Sequence, residues 1–245
     1  MANHFDTIAD IYNKVWYFSE QYQRSMLANI VERLRLDPSD RLADIGGGTG
    51  VYTRLLRETC GLARAWCVEP SRNMCLEAAK LDGIESICAD ADGFMGLDLP
   101  FSKVLLKEAV HHIPARETLW RYLRDKLPAQ GRLLIVTRPQ DIRLPLFEQA
   151  KAAFRRKQPH HQTLLGELEA CGFDAEVAFH PYAFSLAKDT WFDMVRSRFM
   201  SDLAGFSDAE IEAGIAEIDA AHRGQDIEIP DTIVYIAASP KPAQP

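Results

Sequence analysis

Short apolar runs alternate along the chain with longer stretches in which apolar residues recur every three or four positions. Strands of a parallel sheet are apolar throughout because helices cover both faces, and residues 133–136 have this character. The alternation predicts an α/β fold built on a parallel sheet. The predicted strands are Arg41–Ile45, Ala65–Glu69, Ser86–Ala89, Lys103–Leu106 and Arg132–Thr137.

The pattern changes on both sides of this block. A packing helix is predicted at Ser19–Leu36, and another helix at Gln162–Cys171 is followed by an alternating strand at Phe173–Phe179. The last predicted strand, Thr232–Ala238, comes about fifty residues later, which is long for an ordinary connection. Because Asp208–His222 inside this gap is helical in pattern, the gap predicts an inserted cap.

These segments predict one domain with three parts. Residues 1–37 form an N-terminal helical lid and packing segment, and residues 38–180 with 231–240 form the core. Residues 181–230 form the inserted substrate cap. The length of 245 residues, with 47% hydrophobic content, suffices for one large core of this kind.

Net charge and cysteine content limit the classes of partner and metal that the protein is expected to bind. A net charge of −7 gives no electrostatic footprint for nucleic acid or an anionic membrane, despite a local basic stretch at 155–157, and favours a small uncharged or cationic partner. The five cysteines show no spacing for disulfides or zinc, so no metal is predicted. The first residues show no signal-peptide pattern, and no apolar run reaches about 18 residues, so we expect a cytoplasmic location without a membrane span.

A glycine-rich loop is the strongest chemical signal. Residues 42–50 read Leu-Ala-Asp-Ile-Gly-Gly-Gly-Thr-Gly, a strand that continues directly into a turn. Glycine there allows close approach of the backbone to a ligand, although a tight turn without a ligand is an alternative. A nicotinamide dinucleotide loop needs G-x-G-x-x-G, and Val51 stands where its third glycine belongs. The candidate cofactor-binding glycines are Gly46, Gly47, Gly48 and Gly50.

Together with the motifs that follow it, this loop resembles the class I S-adenosylmethionine-dependent methyltransferase family, from Asp6 to Pro139 and again in the last strand pair. The resemblance implies S-adenosylmethionine as cofactor and S-adenosylhomocysteine as product. It also implies a Rossmann-like, mostly parallel seven-stranded sheet with helices on both faces and an antiparallel last strand. In that family the residue matching Asp44 helps to hold the methionine end of the cofactor.

An acidic residue follows at the end of the second predicted strand. Glu69 lies about twenty residues beyond the loop, where a carboxylate can accept hydrogen bonds from both ribose hydroxyls. Pro70 and Met74 match the family's continuation, in which the methionine packs on the adenine. The alternative is that Glu69 only caps a helix beginning at Ser71.

Two further strand ends complete the series. Asp90 and Ala91 are similar to a family segment in which the aspartate meets the adenine amino group and the next amide reads a ring nitrogen. An acidic loop residue is common on its own, so Asp90 gains meaning from its place in the series. Lys107 occupies a position that often contributes its backbone carbonyl to the cofactor's amino group.

Histidines follow the fourth strand. His111 and His112 are the candidate catalytic pair, because imidazole titrates near physiological pH and can serve as a general base or line the acceptor pocket. A structural role for both is the alternative. His160 and His161 begin a predicted helix and are read as capping or surface residues.

Aromatic residues mark two candidate substrate regions. Near the start of the chain they resemble the lid of small-molecule methyltransferases, and in the insertion they are mixed with thioethers and cations that could clasp a planar heterocycle or aromatic acid. Helical spacing also allows both groups to be ordinary core. Besides the two histidines, the candidate substrate-binding residues are Tyr12, Trp16, Tyr17, Trp191, Arg196 and Phe199.

The predicted function is methyl transfer to a small molecule, a planar nitrogen heterocycle or an aromatic intermediate of secondary metabolism, with nitrogen preferred over oxygen. Size, aromatic entrance and insertion resemble the azapteridine N-methyltransferases of toxoflavin-type pathways. Direct displacement needs mainly alignment of the reactants. The alternatives are a cofactor-binding scaffold without turnover and a nicotinamide-dependent oxidoreductase. A protein or RNA acceptor is disfavoured. The expected assembly is a monomer or homodimer.

Overall fold

The computed structural model describes Asp6 and residues 19–242. Its strands are β1 (Arg41–Ile45), β2 (Arg64–Glu69), β3 (Glu85–Cys88), β4 (Lys103–Lys107), β5 (Arg132–Thr137), β6 (Phe173–Ala187) and β7 (Asp226–Pro240). Its helices are α1 (Glu20–Leu34), α2 (Val51–Cys60), α3 (Arg72–Ala78), α4 (Ala91–Met95), α5 (Arg116–Lys126), α6 (Glu148–Lys157), α7 (His161–Ala170), α8 (Lys188–Arg196) and α9 (Asp208–Ala221). Short 3₁₀ turns cover Val110–His112 and Ser201–Leu203.

The seven strands form one sheet in the order β3-β2-β1-β4-β5-β7-β6. Strands β1 to β5 pair in parallel, and β7 runs antiparallel to both of its neighbours, β5 and β6. The predicted Rossmann-like α/β sheet with an antiparallel last strand is therefore confirmed. Because β1 to β5 are parallel, the residues that follow them meet at one edge of the sheet.

The last two strands are longer than the sequence predicts. Phe173 pairs with Pro240, and the pairing continues without a break to Ala187 and Asp226. The predicted end of β6 at Phe179 and the predicted start of β7 at Thr232 were wrong. A proline within a strand pattern normally indicates the end of a strand, and Pro181 and Pro230 stand just beyond these two positions. Pro181 lies on the edge strand β6, where a missing N–H is tolerated. The segment between the strands is therefore 188–225, and the rest of the stretch predicted as insertion belongs to the sheet.

Helix α1 covers one face of the sheet, as expected for the packing helix predicted at Ser19–Leu36. Its N-cap Ser19 accepts a hydrogen bond from the Tyr22 amide at 3.0 Å, and its buried face consists of Tyr22, Met26, Ile30 and Leu34. These side chains share a core with residues of α2, β5 and the insertion. The opposite face of the sheet is covered by a second core, to which α5 and α7 contribute.

The insertion packs against the face that α1 covers. Trp191 in α8 is fully buried, and its indole N–H donates to the Pro145 carbonyl at 2.7 Å. In α9, Gly214 lies so close to the Phe147 ring that an added Cβ would clash with it. The insertion is thus joined to the loop before α6 by packing and by a buried hydrogen bond.

The described residues also show the state of the cysteines and whether they contain a membrane-spanning helix or a metal-binding group. All five cysteines are free thiols. Across Asp6 and residues 19–242, no helix is long and apolar enough to cross a membrane. Within the same residues, no group of three or more His, Cys, Asp or Glu side chains is arranged to hold a metal ion.

Candidate active site

A cavity of about 570 Å³ opens at the edge of the sheet where β1 to β4 end. Its volume lies in the range of roughly 300–1,000 Å³ that small-ligand sites occupy. The residues around it come from four strand ends and from two segments distant in sequence. They are Ile45, Gly46, Gly48, Glu69, Pro70, Met74, Ala89, Asp90, Ala91, Asp92, Lys107, Glu108, Ala109, His112, Ile113, Pro114, Ala115, Lys157 and Ser201.

The glycine loop forms the floor of this cavity. The amides of Gly46 and Gly47 both donate to the Val68 carbonyl, which ties the loop to β2. Gly46 has a φ of 75°, and an added Cβ would clash with the Cβ of Ala109. Gly46 and Gly48 line the cavity, whereas Gly50 is the N-cap of α2. Neither Gly47 nor Gly50 is part of the cavity wall.

Asp44 lies beneath the loop and not in the cavity wall. Its side chain is buried, and its Oδ2 accepts a hydrogen bond from the Thr53 hydroxyl at 2.6 Å. Its Oδ1 has no hydrogen-bond partner among the described residues. Burial raises the pKa of Asp44 to about 6, although the Thr53 hydrogen bond and the charge of Lys107 lower it.

Glu69 joins three parts of the site. Its Oε2 accepts the Gly48 amide at 3.0 Å, and its Oε1 accepts the Ser71 amide at 2.9 Å. Burial raises the pKa of this carboxyl group, and the two amides act against the rise. The Ser71 hydroxyl itself caps α3. Glu69 therefore anchors the loop as well as the start of α3, and a carboxylate oxygen can accept further hydrogen bonds.

One residue from the start of the chain contacts this region. Asp6 accepts a hydrogen bond from the Ser71 hydroxyl at 2.5 Å through its Oδ1. The Asn73 side-chain amide donates to the backbone carbonyl of Asp6 at 2.8 Å. These hydrogen bonds join Asp6 to the β2 end of the cavity.

The segments after β2 and β3 bring together four predicted cofactor residues. Pro70, Met74, Asp90 and Ala91 all line it. Asp90 is also the N-cap of α4, because its Oδ1 accepts the Gly93 amide at 2.8 Å. A capping role and a ligand role are compatible, since the cap uses one carboxylate oxygen of Asp90.

The end of β4 presents two charged residues. The Lys107 ammonium lies 4.3 Å from the centre of the Tyr52 ring, and burial lowers the pKa of Lys107. Glu108 follows it with a φ of 53° and forms an ion pair with Arg138 at 3.2 Å. The sequence prediction missed Glu108, although the rule that pointed to Glu69, an acid at a strand's carboxyl end, applies to it equally.

The two histidines are placed differently. His112 lines the cavity, whereas His111 does not. Their rings lie 4.1 Å apart, and the Nδ1 of His111 is buried without a hydrogen-bond partner among the described residues. Burial, followed by the charges of His112 and Lys157, lowers the pKa of His111 to about 3. His111 is therefore neutral at physiological pH and is a weak base.

Of the predicted substrate residues in the insertion, none lies in the cavity wall. Trp191 and Phe199 are fully buried and pack against each other with ring centroids 5.3 Å apart. Arg196 lies at the surface and pairs with Asp193 and Glu212. In the structure Trp191 and Phe199 contribute to the core, and Arg196 contributes to the surface. The predicted lid residues Tyr12, Trp16 and Tyr17 lie outside the described residues.

Two residues that are far in sequence from the strand ends also line the cavity, and no sequence motif predicted them. Lys157 is the last residue of α6, and Ser201 begins the 3₁₀ turn of the insertion. The Lys157 ammonium pairs with Asp202 at 3.3 Å, which connects these two segments. Only the packing of the insertion on α6 brings them to the strand ends.

Comparison with known proteins identifies part of the chain. Residues 43–135 match the family described as methyltransferase domain. A protein-L-isoaspartate O-methyltransferase of Roseiflexus castenholzii is 31% identical over 119 residues, which are 46% of this chain and 51% of that protein. The chain thus spans about half the length of the curated relatives it matches.

Solved structures show the same fold over nearly the whole chain. A SAM-dependent methyltransferase from Thiobacillus denitrificans, solved with S-adenosyl-L-homocysteine, has a TM-score of 0.60 at 16% identity and covers 96% of this chain and 98% of its own. The [4+2]-cyclase SpnF has a TM-score of 0.64 at 15% identity, with coverages of 97% and 94%. One fold thus serves different reactions, and the reaction depends on the residues of the site.

Proposed function

We propose that this chain, which carries a methyltransferase domain over residues 43–135 in a class I methyltransferase fold, binds S-adenosylmethionine and transfers its methyl group to a small molecule. One observation carries the proposal. A single cavity is lined by the glycine loop, by Glu69 and by Asp90, each at the end of a different strand. These are the groups that the resemblance assigns to the sulfonium, the ribose and the adenine.

The residues fit such a cofactor in order across the sheet. Asp90 and Met74 at the β3 side suit the adenine, and Glu69 at the end of β2 suits the ribose hydroxyls. Gly46, in which a side chain would clash, lets the backbone approach the ligand at the end of β1. The bound sulfonium supplies an activated methyl group. The buried Oδ1 of Asp44 has no hydrogen-bond partner among the described residues and would accept a hydrogen bond from the amino group at the methionine end through a water molecule.

The acceptor would lie on the β4 side. Adjacent strands are about 4.8 Å apart, so the end of β4 lies about 10 Å from the end of β2, beyond the position of the ribose. The cavity continues there past Glu108, His112 and Lys157. We propose that the acceptor lies in this part of the cavity, and the resemblance to azapteridine N-methyltransferases favours a planar small molecule of the kind found in secondary metabolism.

Nitrogen is the preferred acceptor atom. A neutral nitrogen can attack the methyl group with its lone pair, whereas a hydroxyl group needs a strong base to remove its proton. His111 does not supply that base, because it does not line the cavity and because burial lowers its pKa to about 3. Alignment of the nitrogen, the methyl carbon and the sulfur would then supply much of the rate.

Equilibrium binding tests the cofactor assignment. We expect S-adenosylhomocysteine to bind in isothermal titration calorimetry, and Glu69→Gln to weaken its affinity by about tenfold or more because one charge-assisted hydrogen bond is lost. The exposed Glu228→Gln serves as the matched control and should leave the affinity unchanged. Binding of NAD in place of S-adenosylhomocysteine would contradict the assignment.

Transfer of a labelled methyl group tests the reaction. The protein is incubated with methyl-labelled S-adenosylmethionine and an extract of its source that contains both small molecules and proteins, and the product is identified by mass. We expect the label on a nitrogen of a small molecule. Cofactor binding without any transfer would instead support a scaffold, and label in protein would indicate an acceptor like that named for the isoaspartate methyltransferases.

A further inference from the structure

The acceptor side of the cavity contains one carboxylate that the cofactor assignment does not use. Glu108 lines the cavity directly after β4, and 16% of its side-chain surface is exposed. Its φ of 53° is energetically unfavourable for a residue with a Cβ. Its amide is held by the Val136 carbonyl at 2.8 Å, so the pairing of β4 with β5 fixes this conformation. The fold thus maintains a strained glutamate at the cavity wall.

Behind Glu108 lies a buried arginine that serves two carboxylates. Arg138 follows β5, and its Nε and Nη2 donate to the two oxygens of Asp231 at 3.0 and 2.8 Å. Its Nη1 lies 3.2 Å from the Oε1 of Glu108. Burial alone would lower the pKa of Arg138, but the charges of Asp231 and Glu108 raise it, so the guanidinium stays positive.

The two carboxylates are not equivalent. Asp231 is buried, and its Oδ2 accepts from the Tyr22 hydroxyl at 3.1 Å, while its Oδ1 also accepts the Thr232 amide at 2.9 Å. Asp231 therefore receives four hydrogen bonds, two of them from Arg138. Glu108 has a single ion pair through Oε1, and its Oε2 has no partner among the described residues.

We propose that Glu108 is the acceptor-binding carboxylate of this cavity, and that the acceptor presents an N–H group or an amine to its free oxygen. The inference rests on the proposed function and names the substrate class for the same site. Arg138 and Asp231 are positioning residues, because they fix the carboxylate and do not line the cavity.

The transfer step balances with Glu108 as the proton acceptor. The lone pair of the acceptor nitrogen forms the new bond to the methyl carbon, and the electron pair of the carbon–sulfur bond stays on the sulfur. The nitrogen then carries a positive charge and releases its N–H proton to Oε2 of Glu108. The proton leaves to water after the product dissociates. Burial raises the pKa of Glu108, which makes its carboxylate a better proton acceptor than an exposed one.

The test separates the acceptor site from the cofactor site. The variants are Glu108→Gln and, as matched control, Glu167→Gln, which also loses an arginine partner but lies outside the cavity. Titration with S-adenosylhomocysteine reports on the proposed function and on folding of each variant. We expect equal affinities for wild type and both variants, and absence of binding to the wild type would overturn the proposed function alone.

Ring probes then test Glu108 in the protein saturated with S-adenosylhomocysteine. 2-Aminobenzimidazole presents N–H groups and a cationic fraction, whereas benzofuran has a ring of similar shape without N–H. We expect the amine to bind about tenfold more tightly to the wild type, and the preference to fall below about threefold in Glu108→Gln and to persist in Glu167→Gln. Equal binding of both probes to the wild type, or a preference retained in Glu108→Gln, would overturn the inference.

Turnover supplies the final readout. With the acceptor found by labelled transfer, Glu108→Gln should lower kcat/KM by about a hundredfold or more, and Glu167→Gln should leave it within about twofold. The pH profile of the wild type should show an ionisable base that is absent from Glu108→Gln. An acceptor without an N–H group, methylated equally well by both proteins, would refute the assignment.

Discussion

At the scale of single residues, three carboxylates at one edge of the sheet have different surroundings. Asp44 is buried beneath the loop, Glu69 is held by two backbone amides, and Glu108 shares an arginine with Asp231. Burial raises the pKa of all three. Their partners differ, and Glu69 and Glu108 line the cavity whereas Asp44 does not.

Asp44 gives a prediction about stability and pH. Its pKa is 3.8 in the unfolded reference and about 6 in the fold, so the folded state binds the extra proton and loses stability as pH rises between these values. We expect Asp44→Asn to raise the free energy of unfolding by roughly 1–3 kcal/mol at pH 7.5, with no such gain below about pH 4. Urea unfolding at the two pH values measures this difference.

The same substitution should weaken cofactor binding, because the amide cannot provide the negative charge. The exposed Asp125→Asn in α5 serves as the control and should show neither effect. A stability change of Asp44→Asn that is the same at both pH values would show that burial of the charge is not its cause.

At the scale of elements, the β1-to-α2 turn depends on close contact with the end of β4. Gly46 combines a positive φ with a position against Ala109, so two different strand ends meet without space for a side chain. Gly61, after α2, also has a positive φ of 63° but has no atom within 4 Å of an added Cβ. A side chain at Gly61 would therefore cause backbone strain alone, whereas a side chain at Gly46 would cause both backbone strain and crowding.

We expect Gly61→Ala to lower the free energy of unfolding by about 1 kcal/mol through strain alone, with cofactor affinity unchanged. Gly46→Ala should lower it by about 2–4 kcal/mol, because the clash with Ala109 adds to the strain. It should also weaken S-adenosylhomocysteine binding by about tenfold or more. Chemical unfolding and calorimetry measure the two quantities, and equal effects of both substitutions would exclude crowding at the loop.

At the scale of the whole molecule, the insertion contributes to the core and to the cavity rim. Its buried side chains join the core on the α1 face, while Ser201 lines the cavity and Asp202 pairs with Lys157. Trp191 and Phe199, predicted as substrate residues, stabilise this packing. In α9, Gly214 lies against the Phe147 ring, so this contact has no space for a larger side chain.

Two helical glycines test that contact. Gly166 in α7 is exposed, with no atom near an added Cβ, so Gly166→Ala should raise the free energy of unfolding by up to about 1 kcal/mol. Gly214→Ala gains the same helix propensity but forces a methyl group into the Phe147 ring, so we expect a net loss of about 1–2 kcal/mol. Thermal unfolding measures both. Stabilisation by Gly214→Ala would contradict the close packing of α9.

The sequence by itself determined the α/β class, the five parallel strands and the order of the cofactor motifs. These features depend on local information, because apolar runs and glycine turns are read from neighbouring residues. The bounds of β1 and β5 were predicted correctly, and Glu69 and Asp90, which were chosen for their places at strand ends, both line the cavity.

Only the tertiary structure decided the length of β6 and β7 and the composition of the acceptor side. Pro181 breaks the local strand pattern, and its tolerance depends on the edge position of β6 in the sheet. Arg138, Asp231 and Lys157 meet Glu108 and the cavity through contacts between residues far apart in sequence. Such contacts leave no periodic signal along the chain, because they are fixed by how the helices and strands pack on one another.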